Sequence, residues 1–279
     1  MGAEQKTQHE DEYAQIQFIY NLIWSDKDNH YGFWEEGTKR LSAALDNTNR
    51  AVCEALQISP GDRVLDAGCG MGGTSIYAAQ RCQARVEGIC LSKTQIQQAI
   101  KNTNKAGMSD RTNFSVQDFT HTDFPDNHFS SIMAIESVIH APEKLDFCNE
   151  AFRVLKKGGR IAVIDVSKRD KVLSEKEQSR YDAFLSGWDV PNLITPEAFM
   201  DCLKKAGFRN IKYQDKSGQI LKSSARIYRL GVGLYPIAWI LRKIGLITEK
   251  GFYHSIAAIN QKIVFFEGMV GYGIFTADK

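Results

Sequence analysis

The sequence has little net charge and no long apolar run. Its 35 basic and 33 acidic residues leave a formal charge of +2. The lysines and arginines are scattered, so the basic surface of a nucleic-acid-binding protein is not indicated. The stretch from Leu230 to Leu241 is mostly apolar, but at about twelve residues it is too short to span a bilayer. These absences argue against a nucleic-acid partner and a transmembrane helix.

The cysteines lack the spacing of a metal site. There are six of them, with no CxxC pair and no matching histidine spacing. Several lie in apolar runs, where a reduced thiol packs as a small hydrophobic side chain. The first residues are polar and acidic, without the apolar core of a signal peptide. We therefore expect a cytoplasmic protein that binds no metal.

Short apolar runs alternate with segments of helical period from residue 63 onward. This alternation predicts an α/β fold with a mostly parallel sheet covered by helices on both faces. Helices are predicted at 41–56 and, through the segment EKLDFCNEAFRVLKKGG, at 143–159. Ser174 and Glu177 match a capping box, and Thr195, Pro196 and Gly207 are typical of the two ends of another helix.

The chain divides into four predicted parts. Residues 1–60 form an N-terminal tail, disordered over 1–11, and a helical cap that includes apolar residues at helical spacing between 16 and 23. Residues 61–216 form the core, 217–267 an apolar helical insertion, and 268–279 a final core strand. The insertion is the natural candidate for a lid over a site.

A glycine-rich turn follows the first predicted strand in VLDAGCGMGG, residues 64–73. Gly68, Gly70 and Gly73 match GxGxxG, a weak signal shared with dinucleotide-binding enzymes. Asp66 would repel a pyrophosphate, and the second strand ends at 89–92 without the acidic residue that a dinucleotide ribose requires. A dinucleotide is therefore disfavoured, and a simple tight turn remains an alternative.

Several motifs in order carry a more specific resemblance. DAGCGMGG resembles motif I of class I S-adenosylmethionine-dependent methyltransferases, and LSKTQ at 91–95 looks like the second-strand motif of the tocopherol and sterol methyltransferase group. VQDF at 116–119 resembles the third-strand motif, and IESVIHAP at 135–142 is similar to a sterol methyltransferase segment. The resemblance covers roughly 60–215, and HYGFW at 30–34 is a looser match.

The resemblance implies a Rossmann-like, seven-stranded, mostly parallel sheet with an antiparallel last strand, and S-adenosylmethionine as cofactor. The predicted fold also has an N-terminal helical segment and a helical insertion before the last strand. The residues that it places at the cofactor are Asp66, Gly68 and Gly70 at the methionine part, Leu91, Ser92 and Gln95 at the ribose, and Asp118 and Phe119 at the adenine, with Cys69 and Ile135 as further cofactor-binding candidates. The cofactor carboxylate is expected near the N-terminus of the following helix. Alternatives are a strand-end cap for Asp118 and simple packing for Cys69.

Methyl transfer from a sulfonium requires mainly alignment of a nucleophile and exclusion of water. A hydroxyl or carbon nucleophile also needs a base. Glu136 and His140 follow the fourth predicted strand, at the edge of the sheet where ligands bind, and would share one face if that segment were helical. Both are candidate catalytic residues. The alternatives are a loop-capping His140 and a Glu136 that bonds the N-terminal segment.

The acceptor must be inferred from the N-terminal segment and the insertion. Residues 223–247 contain the mostly apolar stretch Leu230–Leu241, which is bracketed by Arg226, Arg229, Arg242 and Lys243. They can be a lid, a segment resting on a membrane surface, or core or homodimer packing. The aromatic candidates for acceptor binding are Tyr31, Trp34, Trp188, Tyr235 and Trp239.

The sequence thus predicts methyl transfer from S-adenosylmethionine to a carbon or oxygen of a hydrophobic small molecule, such as an isoprenoid, a sterol-like compound, a quinol or an aromatic lipid. One alternative is an amine methyltransferase of the phosphoethanolamine or glycine and sarcosine type. Another is a non-catalytic cofactor-binding module. A nucleic-acid methyltransferase is disfavoured because no Asn-Pro-Pro-aromatic motif is present.

Overall fold

The computed structural model describes residues 24–279, apart from the side chain of Lys250. The predicted tail at 1–11 and the helical spacing between 16 and 23 lie outside the described residues. The described helices are α1 Leu41–Leu56, α2 Gly73–Cys82, α3 Lys93–Ala106, α4 Lys144–Val154, α5 Glu175–Gly187, α6 Pro196–Ala206, α7 Ser217–Lys243 and α8 Glu249–Phe266. The described strands are β1 Arg63–Ala67, β2 Arg85–Cys90, β3 Thr112–Val116, β4 Phe129–Ile135, β5 Leu155–Lys168, β6 Arg209–Asp215 and β7 Val270–Asp278.

The strands form one sheet in the order β3-β2-β1-β4-β5-β7-β6. Neighbours from β3 to β5 pair in parallel, and β7 runs antiparallel between β5 and β6. The predicted Rossmann-like α/β fold with an antiparallel last strand is confirmed. Strand order reverses between β1 and β4, and in open α/β sheets ligands bind beyond the carboxyl ends of the strands at such a point.

Apolar residues on both faces of the central strands hold the layers together. Val64 packs in a cluster with α1 and α5, whereas its neighbour Leu65 packs with α4 and α6 on the opposite face. Strands buried on both faces read as continuous apolar runs, which is why β1, β4 and β5 could be recognised in the sequence. The predicted helix ends are also present, since Ser174 and Glu177 form the capping box and Thr195 caps α6.

The prediction of one helix over 143–159 is wrong for its last five residues, 155–159. α4 ends at Val154, and β5 begins at once with Leu155, which pairs with Phe129 of β4. Gly158 has φ +75°, and Gly159 accepts a hydrogen bond from the amide of Lys279. Strand pairing with the end of the chain therefore overrides the helical spacing of this segment.

The insertion consists of two long helices, α7 and α8, which lie between strands β6 and β7 in the chain. α7 and α8 pack along each other, and α8 also packs on α5. The far part of α7 exposes apolar side chains, including Ile237, Trp239 and Ile240. No helix among residues 24–279 is long and apolar enough to cross a bilayer.

Candidate active site

The glycine loop joins β1 to α2 in a conformation that requires glycine. The amides of Gly68 and Cys69 both donate to the carbonyl of Ile89, at 2.8 and 2.9 Å. Gly68 has φ +90°, and a Cβ there would lie 2.3 Å from the Cβ of Ser137. Gly70 has φ +53°, but nothing lies within 4 Å of its Cβ position. The loop is thus closed against β4 at Gly68 and open at Gly70.

Asp66 fixes the loop to the helix that follows it. Its side chain is 3% exposed and accepts a hydrogen bond of 2.6 Å from the hydroxyl of Ser75. Burial raises the pKa of Asp66 to about 6, although Ser75 and the charge of His30 favour the carboxylate. Its predicted contact with the methionine part of the cofactor stays a prediction.

The N-terminal segment covers the start of α2. The amide of Gly73 donates to the carbonyl of Lys27 at 3.0 Å, and Oδ1 of Asp28 lies where a Cβ of Gly73 would be. The helix N-terminus therefore already faces a carbonyl and a carboxylate from this chain. The expectation that the cofactor carboxylate lies at this helix end stays a prediction, and the open side of the loop at Gly70 is a second position available to it.

A buried polar network holds this segment in place. Nδ1 of His30 lies 3.0 Å from the carbonyl of Tyr31, and Nε2 lies 3.1 Å from Oδ1 of Asn49. That Asn49 oxygen accepts from Thr74 of α2, and the Asn49 amide donates to Asp28. Both ring nitrogens of His30 therefore face acceptors, as an imidazolium requires.

Two opposing effects set the protonation of His30. Burial lowers its pKa, but the hydrogen bond and charge of Asp28 and the charge of Glu136 outweigh burial and raise the pKa to about 9. The pKa of Asp28 is lowered: burial opposes this shift, but the hydrogen bond and charge of His30 overcome it. No local pattern indicated that Asp28 and His30 are partners of Asn49, because Asn49 lies 21 and 19 residues further along the chain.

The ends of β2 and β3 carry further predicted cofactor residues. Leu91 follows β2 and is 69% exposed. Ser92 caps α3 by accepting from the amide of Gln95. The exposed Asp118 accepts from the amide and hydroxyl of Thr120, at 2.8 and 2.7 Å, so the strand-end cap that we considered is present. Phe119 packs edge-to-face on Phe147.

Cys69 lies in a small packed cluster beside the loop. It is buried with Cys90 of β2, and Phe114 of β3 belongs to the same cluster. A hydrogen bond with the Cys90 thiol and burial together raise the pKa of Cys69 well above its usual value. A thiol of this kind is unreactive, so its environment supports packing and gives no support to a chemical role.

Glu136 joins three distant parts of the chain at the end of β4. Its φ is +49°, and its Oε1 accepts from the amide of Tyr31 at 2.7 Å and from the hydroxyl of Tyr272 at 2.5 Å. Burial raises its pKa, although His30 and these hydrogen bonds act in the opposite direction. The bond from the Tyr31 amide is the structural alternative considered for Glu136, a hydrogen bond to the N-terminal segment.

His140 does not share a helical face with Glu136, and that expectation is wrong. Only Val138–His140 forms a 3₁₀ turn, and Glu136 precedes it in a left-handed conformation. Nδ1 of the exposed His140 ring lies 3.3 Å from the carbonyl of Asp189. A carbonyl only accepts, so this contact protonates Nδ1 and leaves Nε2 as an acceptor. Burial lowers the pKa of His140.

The five predicted acceptor-binding aromatic residues do not line one cavity. Tyr31 lies beside Glu136, and Trp34 donates to Ser223 near the start of α7. Trp239 is 48% exposed and, at 1.5 Å per helical residue, lies about 24 Å along α7 from Ser223. The two others are also separate, with Trp188 against His254 and Tyr235 against Phe252. The five residues therefore lie in separate places, and their role in acceptor binding stays a prediction.

The structure adds two residues that the sequence did not indicate. Tyr272 of β7 is fully buried and bonds Glu136. Gln261 of α8 accepts from the hydroxyl of Tyr31, while its buried Nε2 has no hydrogen-bond acceptor among residues 24–279. Both come from the last third of the chain, where no motif marks them.

These features can be compared with known proteins. The family model described as mycolic acid cyclopropane synthetase matches residues 4–215. The chain belongs to the mycolic acid cyclopropane synthetase family. The match ends where β6 ends, so α7, α8 and β7 lie beyond the part that it covers.

Relatives and solved structures agree with this family. Methyltransferase GfsG of Streptomyces halstedii is 30% identical over 75% of this chain and 75% of its own length. Sterol 24-C-methyltransferase of Eremothecium gossypii is 34% identical over 57% of this chain and 43% of its own. Phosphoethanolamine N-methyltransferase 2 of Haemonchus contortus, solved with S-adenosyl-L-methionine, has the same fold with a TM-score of 0.73 and 20% identity, over 94% of this chain and 56% of its own.

The predicted enzyme class and cofactor are thereby confirmed. The chain is a class I S-adenosylmethionine-dependent methyltransferase that acts on small molecules. Its own residues fit the cofactor, because the open loop at Gly70, the exposed apolar Leu91 and the Asp118 carboxylate follow three adjacent parallel strands. A carboxylate suits an amino group of the adenine, and an apolar side chain suits the face of a nucleoside.

Proposed function

We propose that this methyltransferase acts on a carbon or oxygen of a hydrophobic small molecule, with Glu136 at the acceptor side of the site. The observation that carries the proposal is the environment of Glu136. Glu136 accepts from the backbone amide of Tyr31 and from the hydroxyl of Tyr272. The centroids of these two tyrosine rings lie 5.7 Å apart, and Phe265 and Phe33 pack edge-to-face on Tyr31 and Tyr272. An acid among aromatic rings at the switch point of the sheet suits an apolar acceptor with one polar atom.

The α7–α8 hairpin supplies the other wall of this site. Phe265 and Gln261 of α8 both contact Tyr31. The unbonded Nε2 of Gln261 is a donor that an acceptor oxygen can satisfy. The rings fill the space between the N-terminal segment and the hairpin, so acceptor entry requires α8 to move away from Tyr31. This supports a lid role for residues 217–267.

The far end of the hairpin is proposed as a contact for the membrane surface. Ile237, Trp239, Ile240 and Ile244 are exposed there, and Lys243 lies near the Trp239 ring. Apolar side chains with neighbouring cations are typical of segments that rest on a bilayer. A second copy of the chain is the alternative cover for this apolar surface.

His140 is proposed as the base that takes the acceptor proton. Its neutral ring presents Nε2, and its pKa lies below the usual 6.5. We expect kcat/KM to fall as the pH drops through this lowered pKa, because protonation removes the accepting lone pair. A His140→Asn variant should be slower by about 100-fold and should lose this acidic limb of the pH profile.

The matched control for His140 is Glu136→Gln. Its amide oxygen can still accept from Tyr31, so we expect a slower enzyme that keeps the acidic limb. Both pH profiles are measured with methyl-labelled S-adenosylmethionine. A His140→Asn enzyme with the wild-type rate and profile would rule out the base role.

An amine acceptor is the second candidate, and one observation favours it. The Glu136 carboxylate, together with the Tyr272 ring whose hydroxyl bonds it, can also hold an ammonium group by charge and by a cation–π contact. The experiment is to incubate the enzyme with methyl-labelled cofactor and extracts of its source organism, and then to separate organic and aqueous phases. Label in the organic phase is the expected result. Label confined to the aqueous phase would reject the hydrophobic acceptor and support the amine.

A further inference from the structure

A basic groove lies outside the Glu136 cluster, between the start of α7, the end of α8 and Trp34. Its volume is about 340 Å³. The residues that line it are Trp34, Lys222, Ala225, Arg226, Tyr228, Arg229 and Lys262. Four of the seven are cations and none is acidic. The groove is therefore a concentrated positive site in a chain whose net charge is close to zero.

The spacing of the α7 cations places them together by helix geometry. Lys222, Arg226 and Arg229 are four and three residues apart, so they share one exposed face. Lys262 of α8 reaches the same groove from the opposite side. Like charges at these spacings destabilise a helix, so the fold itself gains nothing from this arrangement.

Three of the four cations of the groove have no carboxylate partner among residues 24–279. Lys222, Arg229 and Lys262 form no ion pair with any acidic side chain of residues 24–279, whereas Arg242 further along α7 pairs with Glu249. Aromatic rings hold the two lysines instead, with Lys222 5.5 Å from the Trp34 ring and Lys262 4.6 Å from the Tyr228 ring. These ammonium groups are positioned without losing their charge.

We propose that this groove binds a phosphate or diphosphate group. Four cations around one cavity carry more positive charge than a ligand with a single carboxylate would balance. The planar guanidinium group of arginine can also donate two parallel hydrogen bonds to a pair of phosphate oxygens. The group can belong to the headgroup of a bilayer lipid or to a phosphorylated soluble molecule, since both present the same oxygens. The proposal concerns binding at this groove and does not depend on the acceptor chemistry above.

Inorganic pyrophosphate is the first probe, measured by calorimetry with the full chain. The test variant is Arg229→Gln with Lys262→Gln, and the control is Lys204→Gln with Lys205→Gln, which removes the same charge from the exposed end of α6. We expect the Kd for pyrophosphate to rise about tenfold or more in the test variant. The control should match the wild type.

The second probe separates the two sources of phosphate. Flotation is measured with phosphatidylcholine vesicles that contain phosphatidylglycerol and with phosphatidylcholine alone. Loss of binding to the anionic vesicles in the test variant alone, together with competition by pyrophosphate, would assign the groove to a lipid headgroup. Pyrophosphate binding by the wild type without vesicle binding would assign it to a soluble phosphorylated ligand.

Folding of the variants is checked by thermal unfolding at low salt. We expect the test variant to be at least as stable as the wild type, because like-charge repulsion is removed. Pyrophosphate should raise the Tm of the wild type and of the control variant but not that of the test variant. No pyrophosphate binding by the wild type, or equal binding by the test and control variants, would overturn the proposal. Vesicle binding that the test variant retains would reject the lipid headgroup.

Discussion

A Gly70→Asp variant is expected to lose cofactor binding and methyl transfer while it keeps its fold. The Cβ position of Gly70 faces open space on the ligand side of the loop, so an aspartate there points into the volume left for the cofactor. We expect the Kd for S-adenosylmethionine to rise about 100-fold. Aspartate is among the residues that tolerate the left-handed conformation, so thermal unfolding should change little.

The matched control is Gly158→Asp. Gly158 also has a positive φ, at +75°, and nothing lies within 4 Å of its Cβ position, but it lies in β5 beside the end of the chain. The control therefore carries the same backbone strain and the same added charge. Cofactor affinity is measured by calorimetry and turnover by label transfer. Equal loss in both variants would mean that strain, and not the cofactor position of Gly70, causes the effect.

Folding stability is expected to fall between about pH 6 and pH 10 because of His30. Its pKa is raised to about 9 in the folded protein, against about 6.5 when unfolded. The protonated ring therefore stabilises the fold fully below pH 6.5, and this contribution is lost as the pH rises through 9. The difference corresponds to about 3 kcal/mol of unfolding free energy.

The measurement compares the wild type with Asp28→Asn/His30→Gln, which replaces the ion pair by neutral amides. Other groups also titrate in this range, including Asp165, whose pKa is raised by burial to about 8. Because both proteins contain these groups, the comparison isolates the contribution of the Asp28–His30 pair. The advantage of the wild type in urea unfolding should shrink as the pH rises. An advantage that is constant across the range would show that His30 is not charged in the fold.

The fold could be predicted from the sequence wherever local signals and burial agreed. β1, β4 and β5 are buried on both faces, and the ends of α6 carry Thr195, Pro196 and Gly207. The prediction failed at Leu155–Gly159, where helical spacing competes with pairing to β4 and to the end of the chain. No local pattern reports that pairing, because its partners are distant in the sequence.

The candidate site residues also fall into two groups: those that local motifs mark and those that only tertiary packing brings together. The glycine loop and the ends of β2 and β3 are contiguous motifs, so Gly68, Gly70 and Asp118 could be located from sequence. The Glu136 cluster depends on Tyr31, Gln261 and Tyr272, which come from both ends of the chain. Aromatic content selected five candidate residues, but Trp34 bonds Ser223 near the start of α7, whereas the exposed Trp239 lies in the far part of that helix. Which aromatic rings meet is decided by tertiary packing.

The hairpin leaves and rejoins the sheet at neighbouring strands. Asp215 at the end of β6 pairs with Gly273 of β7, and the amide of Lys216 donates to the carbonyl of Tyr272 at 2.7 Å. A short turn between β6 and β7 would preserve the strand order, the cofactor loop and the bond between Tyr272 and Glu136. We therefore propose that the range of acceptors can diversify by replacement of the α7–α8 hairpin as one contiguous insert, while the part of the enzyme proposed to bind the methyl donor stays unchanged.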